Sequence, residues 1–153
     1  MKRTASSRLE ELLEAARSVR RNAHAPYSNF KVGAAVLAGG RIFAAANVEN
    51  AAYPLSVCAE RNAVGMAVAA GHERVQGIAV VGQGPLATAP CGGCRQVIWE
   101  FCDPDGTVPV MYAADGGPAV TTTIGELLPR PFGPSNLAKE PRARPGRRGR
   151  RTV

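Results

Sequence analysis

Cys58, Glu60, Cys91 and Cys94 are the residues whose types and spacing can do chemistry together. Cys58 opens a stretch rich in Ala, Val and Met, and Cys91-Gly92-Gly93-Cys94 follows Pro90 at the start of a second short helical stretch. Cys91 and Cys94 fall at i and i+3, so they share one helix face. Helix starts carry free amides and partial positive charge. That setting lowers a thiol pKa and favours the thiolate, the form that binds zinc. Three thiolates leave the fourth tetrahedral position open, the mark of a catalytic rather than a structural zinc. A water there can ionise near pH ~7. Glu60, two residues past Cys58, points off the ligand face of a regular helix. It is poorly placed as a fourth ligand and suited to moving protons between water and a substrate.

Three thiolates on Zn²⁺ leave one net negative charge, which opposes ionisation of the water. Arg61, directly after Glu60, can offset it, and Arg95 beside Cys94 is a second candidate. A CxxC alone also reads as a redox pair or a structural zinc, and outside the cell four cysteines would pair as disulfides. Cys-Ala-Glu-Arg followed by Pro-Cys-x-x-Cys, each opening a helix between strands, favours the catalytic metal. Cys102 reads as a plain buried thiol. His24 and His72 have no ligand spacing, and His72 suits a helix C-terminal dipole.

The elements that must hold these residues follow from periodicity. Ser7 to about Ala23 carries Leu9, Leu12, Leu13, Ala16 and Val19 at helical spacing, with Ser7 and Glu10 as a capping box and Pro26 beyond the end. Phe30–Leu37 and Arg41–Val48 flank Gly39-Gly40 and predict a hairpin. Cys58–Ala70 is the next helix, stopped by Gly71, and Gly77–Val81 is a buried strand. A helix from Cys91 to about Phe101, a strand over Val108–Ala113 and a capped turn over Thr123–Leu128 complete the order α-β-β-α-β-α-β-α. That order predicts a sheet with helices packed on it, antiparallel at first and joined by parallel crossovers later.

The net charge of +7 points towards nucleic acid, but six arginines between Pro141 and Val153 carry nearly all of it. The remainder is close to neutral, and 5% aromatic residues offer few platforms for single strands. Such a tail would contact phosphate only nonspecifically and in a salt-dependent way. Residues 1–134 are expected to form one catalytic domain, and 135–153 a disordered basic Pro/Arg-rich tail. No apolar run is long enough for a membrane span, and the N-terminus lacks a secretory apolar stretch. The expected location is the cytoplasm.

Cys58-Ala59-Glu60-Arg61 with Pro90-Cys91-Gly92-Gly93-Cys94-Arg95-Gln96 resembles the small homotetrameric zinc-dependent cytidine deaminases. In zinc deaminases a His or Cys ligand, a non-ligand Glu and a PCxxC segment build the site. The resemblance covers roughly Ala16 to Phe132. It implies a three-layer α/β/α fold with a mixed five-stranded sheet, and hydrolytic deamination of cytidine or deoxycytidine with release of ammonia. It also implies that Asn47 and Glu49, which share one face of an extended segment, bind the sugar 3′-hydroxyl. It further implies that Phe30 packs against the pyrimidine, that Ala59 contacts substrate, and that Tyr53 and Phe132 reach into a neighbouring subunit's pocket, so that the sites of a homotetramer complete one another. Ala46 and Ala52 depart conservatively from the commoner pattern, and Gly93, where Ala is common, costs some helix stability without touching a ligand. A deaminase of a cytosine-nucleoside antibiotic is the close rival; the intact Asn47/Glu49 pair favours an ordinary ribosyl substrate.

Overall fold

In the computed structural model, residues 5–137 are described. Helix α1 (Ala5–Arg20) leads into a hairpin of β1 (Val32–Ala38) and β2 (Arg41–Ala46), followed by α2 (Ala59–Ala69) and β3 (Val75–Gly82). Then come α3 (Gly92–Glu100), β4 (Pro109–Ala114), β5 (Ala119–Thr123) and the single turns α4 (Ile124–Leu127) and α5 (Pro134–Leu137). The hairpin turns on Gly39 and Gly40, whose φ angles of +56° and +74° are those a two-residue hairpin loop demands.

The five strands form one mixed sheet in the order β2-β1-β3-β4-β5. Only β3 and β4 run parallel, through α3; the other three pairings are antiparallel. Alternation along β1 and β3 divides the core. Ala34, Val36, Ala38, Ile78 and Val80 join Ala59, Ala63, Val64 and Ala67 of α2 and Ile98 of α3. Ala35, Ala79 and Val81 face Leu12 and Ala16 of α1 on the other side. Helices on both faces give the three layers. The small residues let helix and sheet approach closely: a Cβ at Gly33 would lie 2.0 Å from the Ala16 carbonyl oxygen.

Several sequence expectations are corrected here. Helix α1 already runs at Ala5, so Ser7 sits within it rather than capping it with Glu10. It ends at Arg20, not Ala23, because residues 21–23 continue as turns bonded to Val19 and Arg20. The Thr123/Glu126 capping box does form, with both reciprocal bonds at 3.2 Å. Strand β5 was missed: as a mostly exposed edge strand it lacks apolar alternation, and only its run of Thr signals it. Pro134–Leu137 makes one helical turn where only tail had been expected. The arginines from 142 onward lie outside the described residues.

Candidate active site

Two helix starts meet beside the start of β1 and the end of β2. Cys58 is the N-cap of α2 and Cys91 the N-cap of α3; both have extended backbone angles. Cys94, one turn into α3, is fully buried. The three sulfurs lie within 4.8 Å of one another, with Cys58 Sγ and Cys91 Sγ 4.0 Å apart. Among the described residues, no other three His, Cys, Asp or Glu side chains gather closely enough to hold a metal.

The donor set fits zinc on its chemistry. Hydrogen bonding from Cys94, then from Cys91, with the Arg61 charge adding, brings the Cys58 thiol down to about 6. Cys94 is pushed in the opposite direction, chiefly because its proton serves Cys58 and because it is buried. One sulfur of the group is therefore poised as thiolate before any cation arrives. Three converging sulfurs with no acidic fourth ligand suit a borderline-soft cation.

Glu60 is the single buried charged residue among those described, 4% exposed. Its carboxyl is held above the usual carboxylate range by burial, with the neighbouring Cys58 adding in the same direction. Because Cys58 is a cap with extended angles, regular helix phase does not separate the two residues. Glu60 lines the same cleft as Cys58 and Cys91. The arginine assignment is corrected in part. Arg95 donates from Nε to the Pro90 carbonyl at 2.7 Å and from Nη1 to the Leu127 carbonyl at 2.9 Å. It therefore satisfies an orphan carbonyl at the end of α4 and ties α4 to the start of α3. Arg61 is exposed and makes no hydrogen bond to a sulfur; it acts on Cys58 through its charge.

The cleft, about 310 Å³, is lined by Phe30, Asn47, Glu49, Cys58, Ala59, Glu60 and Cys91. That volume is at the lower end for small-ligand sites, about 300–1,000 Å³. Asn47 is pinned at the end of β2: its Oδ1 accepts from the Val32 amide at 2.8 Å and its Nδ2 donates to the Phe30 carbonyl at 3.0 Å. Glu49 accepts from the Tyr27 and Ser28 amides and from the Ser28 hydroxyl. These bonds, the hydroxyl first, hold its pKa below the usual carboxylate value. Sequence reasoning passed over Ser28, Val32, Thr88 and Ala89, which also line the cleft. Their positions beside Phe30 and Pro90-Cys91 were the available signal.

Tyr53 and Phe132 do not enter this cleft. Tyr53, 69% exposed, lines an adjoining concavity with Tyr27, Ser28, Glu49 and Ser56. Phe132 is 58% exposed, and its carbonyl accepts from Gln96 Nε2 at 2.7 Å. His24 and His72 stay away from the sulfurs; the His72 ring lies tilted against Phe43.

Residues 6–110 match the family model described as "Cytidine and deoxycytidylate deaminase zinc-binding region". The chain belongs to this family. As a member, it is a hydrolytic deaminase with zinc as its cofactor. It is 41% identical over 131 residues to the cytidine deaminase of Sporosarcina psychrophila, covering 85% of this chain and 95% of that one. Against the cytidine deaminase of Halalkalibacterium halodurans it is 42% identical over 123 residues, 79% of this chain and 91% of the other. The crystal structure of cytidine deaminase from Burkholderia pseudomallei superposes with a TM-score of 0.75 at 46% identity, covering 80% of this deaminase and 98% of that chain.

Proposed function

We propose that the chain converts cytidine and deoxycytidine to uridine and deoxyuridine, releasing ammonia. One observation carries this reading: a single cleft is lined by Cys58, Cys91 and Glu60 together with Asn47 and Glu49. The relatives bearing the name cytidine deaminase support it.

Zinc held by Cys58, Cys91 and Cys94 would supply the Lewis acidity that activates the attacking water. Glu60 takes one proton from that water and passes it to the ring nitrogen, then takes the second from the hydroxyl added to the ring and passes it to the departing amine. Its buried position supports this role, because burial raises its pKa and so makes the carboxylate a stronger proton acceptor. Phe30 packs against the pyrimidine and Ala59 forms the adjoining wall. Asn47 and Glu49 hold the sugar 3′-hydroxyl, and the Arg61 charge offsets the thiolates.

The proposed assembly is a homotetramer in which Tyr53 and Phe132 complete neighbouring clefts. Two exposed aromatics lying outside their own cleft support it. Four unpaired cysteines suit a reducing compartment and hence the cytoplasm. The decisive experiment follows ultraviolet absorbance of cytidine, deoxycytidine and a polynucleotide with purified zinc-loaded protein. Turnover of the free nucleosides alone is expected; no nucleoside turnover would sink the reading.

A further inference from the structure

We propose that Ser28 is a positioning residue: its hydroxyl fixes the Glu49 carboxylate so that one acceptor position is left for the substrate sugar. This rests on the nucleoside reading above and adds the device that aims Glu49.

Ser28 lines both the sulfur-bearing cleft and the concavity beside it. With Glu49 it forms the wall between them. Asn29 has a φ of +55°, a left-handed conformation that Asn tolerates better than most residues. The turn lets consecutive amides converge, those of Tyr27 and Ser28 donating to Glu49 Oε2 at 2.9 and 3.2 Å. Successive backbone N–H groups of this kind form an anion-binding nest. The Ser28 hydroxyl donates to Glu49 Oε1 and accepts from the Phe30 amide at 3.0 Å. Its single proton is committed, and so is its direction.

Counting donors and acceptors then limits what the site can read. An ionised carboxylate offers about four lone-pair positions. Ser28 and the two amides occupy three, leaving one on Oε1. The Asn47 amide gives one Nδ2 proton to the Phe30 carbonyl and keeps one free. One acceptor and one donor match a single hydroxyl, which can donate its one proton to Glu49 and accept from Asn47. Through the Phe30 amide, Ser28 also links this hydroxyl reader to the backbone of the aromatic beside the base.

The test compares Ser28→Ala, Ser28→Thr, Glu49→Gln and the Ser28→Ala/Glu49→Gln double variant on cytidine and on 2′,3′-dideoxycytidine. Loss of a hydrogen bond to a charged group should raise KM for cytidine about tenfold in Ser28→Ala, with kcat little changed. Ser28→Thr, which keeps the hydroxyl, should return KM towards the wild-type value. On the dideoxy substrate, which has no hydroxyl for Glu49, Ser28→Ala should change nothing, and in the Glu49→Gln background it should add nothing. The acid limb of 1/KM should move to higher pH in Ser28→Ala, because the bond that lowers the Glu49 pKa is gone. Equal losses on both nucleosides, an additive double variant, or a loss in kcat alone would overturn the proposal. So would an unchanged KM in Ser28→Ala on a working wild type. A wild type that turns over neither nucleoside overturns the parent reading, and this one with it.

Discussion

Glu60 and Glu49 are carboxylates of one cleft, and their surroundings drive them apart. Glu60 is sealed beside the sulfurs, where burial raises its pKa. Glu49 lines the same cleft, where three donors lower its pKa. Opposed environments suit two carboxyls to different work, which matches the roles proposed for them: Glu60 as proton carrier, Glu49 as the charged group that holds a hydroxyl. The sulfurs are held by two helix starts, Glu49 and Asn47 by a loop and a strand terminus. The proposed chemistry and the proposed recognition therefore rest on different kinds of scaffold.

The largest expected effect comes from Glu60→Gln, which should cut kcat about 10³-fold while zinc content, measured by atomic absorption, stays at one per chain. Retained turnover would make the two carboxylates equivalent and break the comparison. Glu49→Gln should instead act on KM, raising it about 10–100-fold for cytidine, as read by steady-state kinetics. A fall confined to kcat would move Glu49 to the chemical step. Arg61→Gln should weaken zinc binding about tenfold in competition with a chelator, because the charge favouring the Cys58 thiolate is lost.

The smallest effect concerns stability of the metal-free protein. The Glu60 pKa is higher folded than unfolded, so its contribution is most favourable below about pH 4.5 and is lost as pH rises through the folded value. Glu49 has the opposite sign: its contribution is present above the unfolded pKa and is lost as pH falls through the lowered one. Glu60→Gln should therefore raise the melting temperature roughly 2–4 °C at pH 7.5, with the gain fading towards pH 4. Calorimetry at the two pH values reads this directly, and an equal gain at both would remove burial as the cause.

The sulfur cluster was legible in the sequence because its signals are local. A cysteine opening a helix, and CxxC after Pro90, are statements about neighbouring residues. Asn47 and Glu49 were legible as a pair through their spacing of two. The nest around Glu49 was not, because Ser28 lies 21 residues away and only the tertiary fold brings the two together. Arg95 misled for the same reason: its carbonyl partner on Leu127 is 32 residues distant. An exposed edge such as β5 has no apolar face from which to be read.

Cys58 and Cys91 stand 33 residues apart, and between them run α2, β3 and the loop leading into α3. A cation gripping both would close that whole span into a ring, in the manner of a covalent cross-link, and restrict the unfolded chain most. The metal would then be a clasp as well as a reagent. Chelation should release the 83–90 loop to proteolysis before the α1 layer on the far side of the sheet loosens, so losing the catalyst and opening the fold would begin at the same atoms.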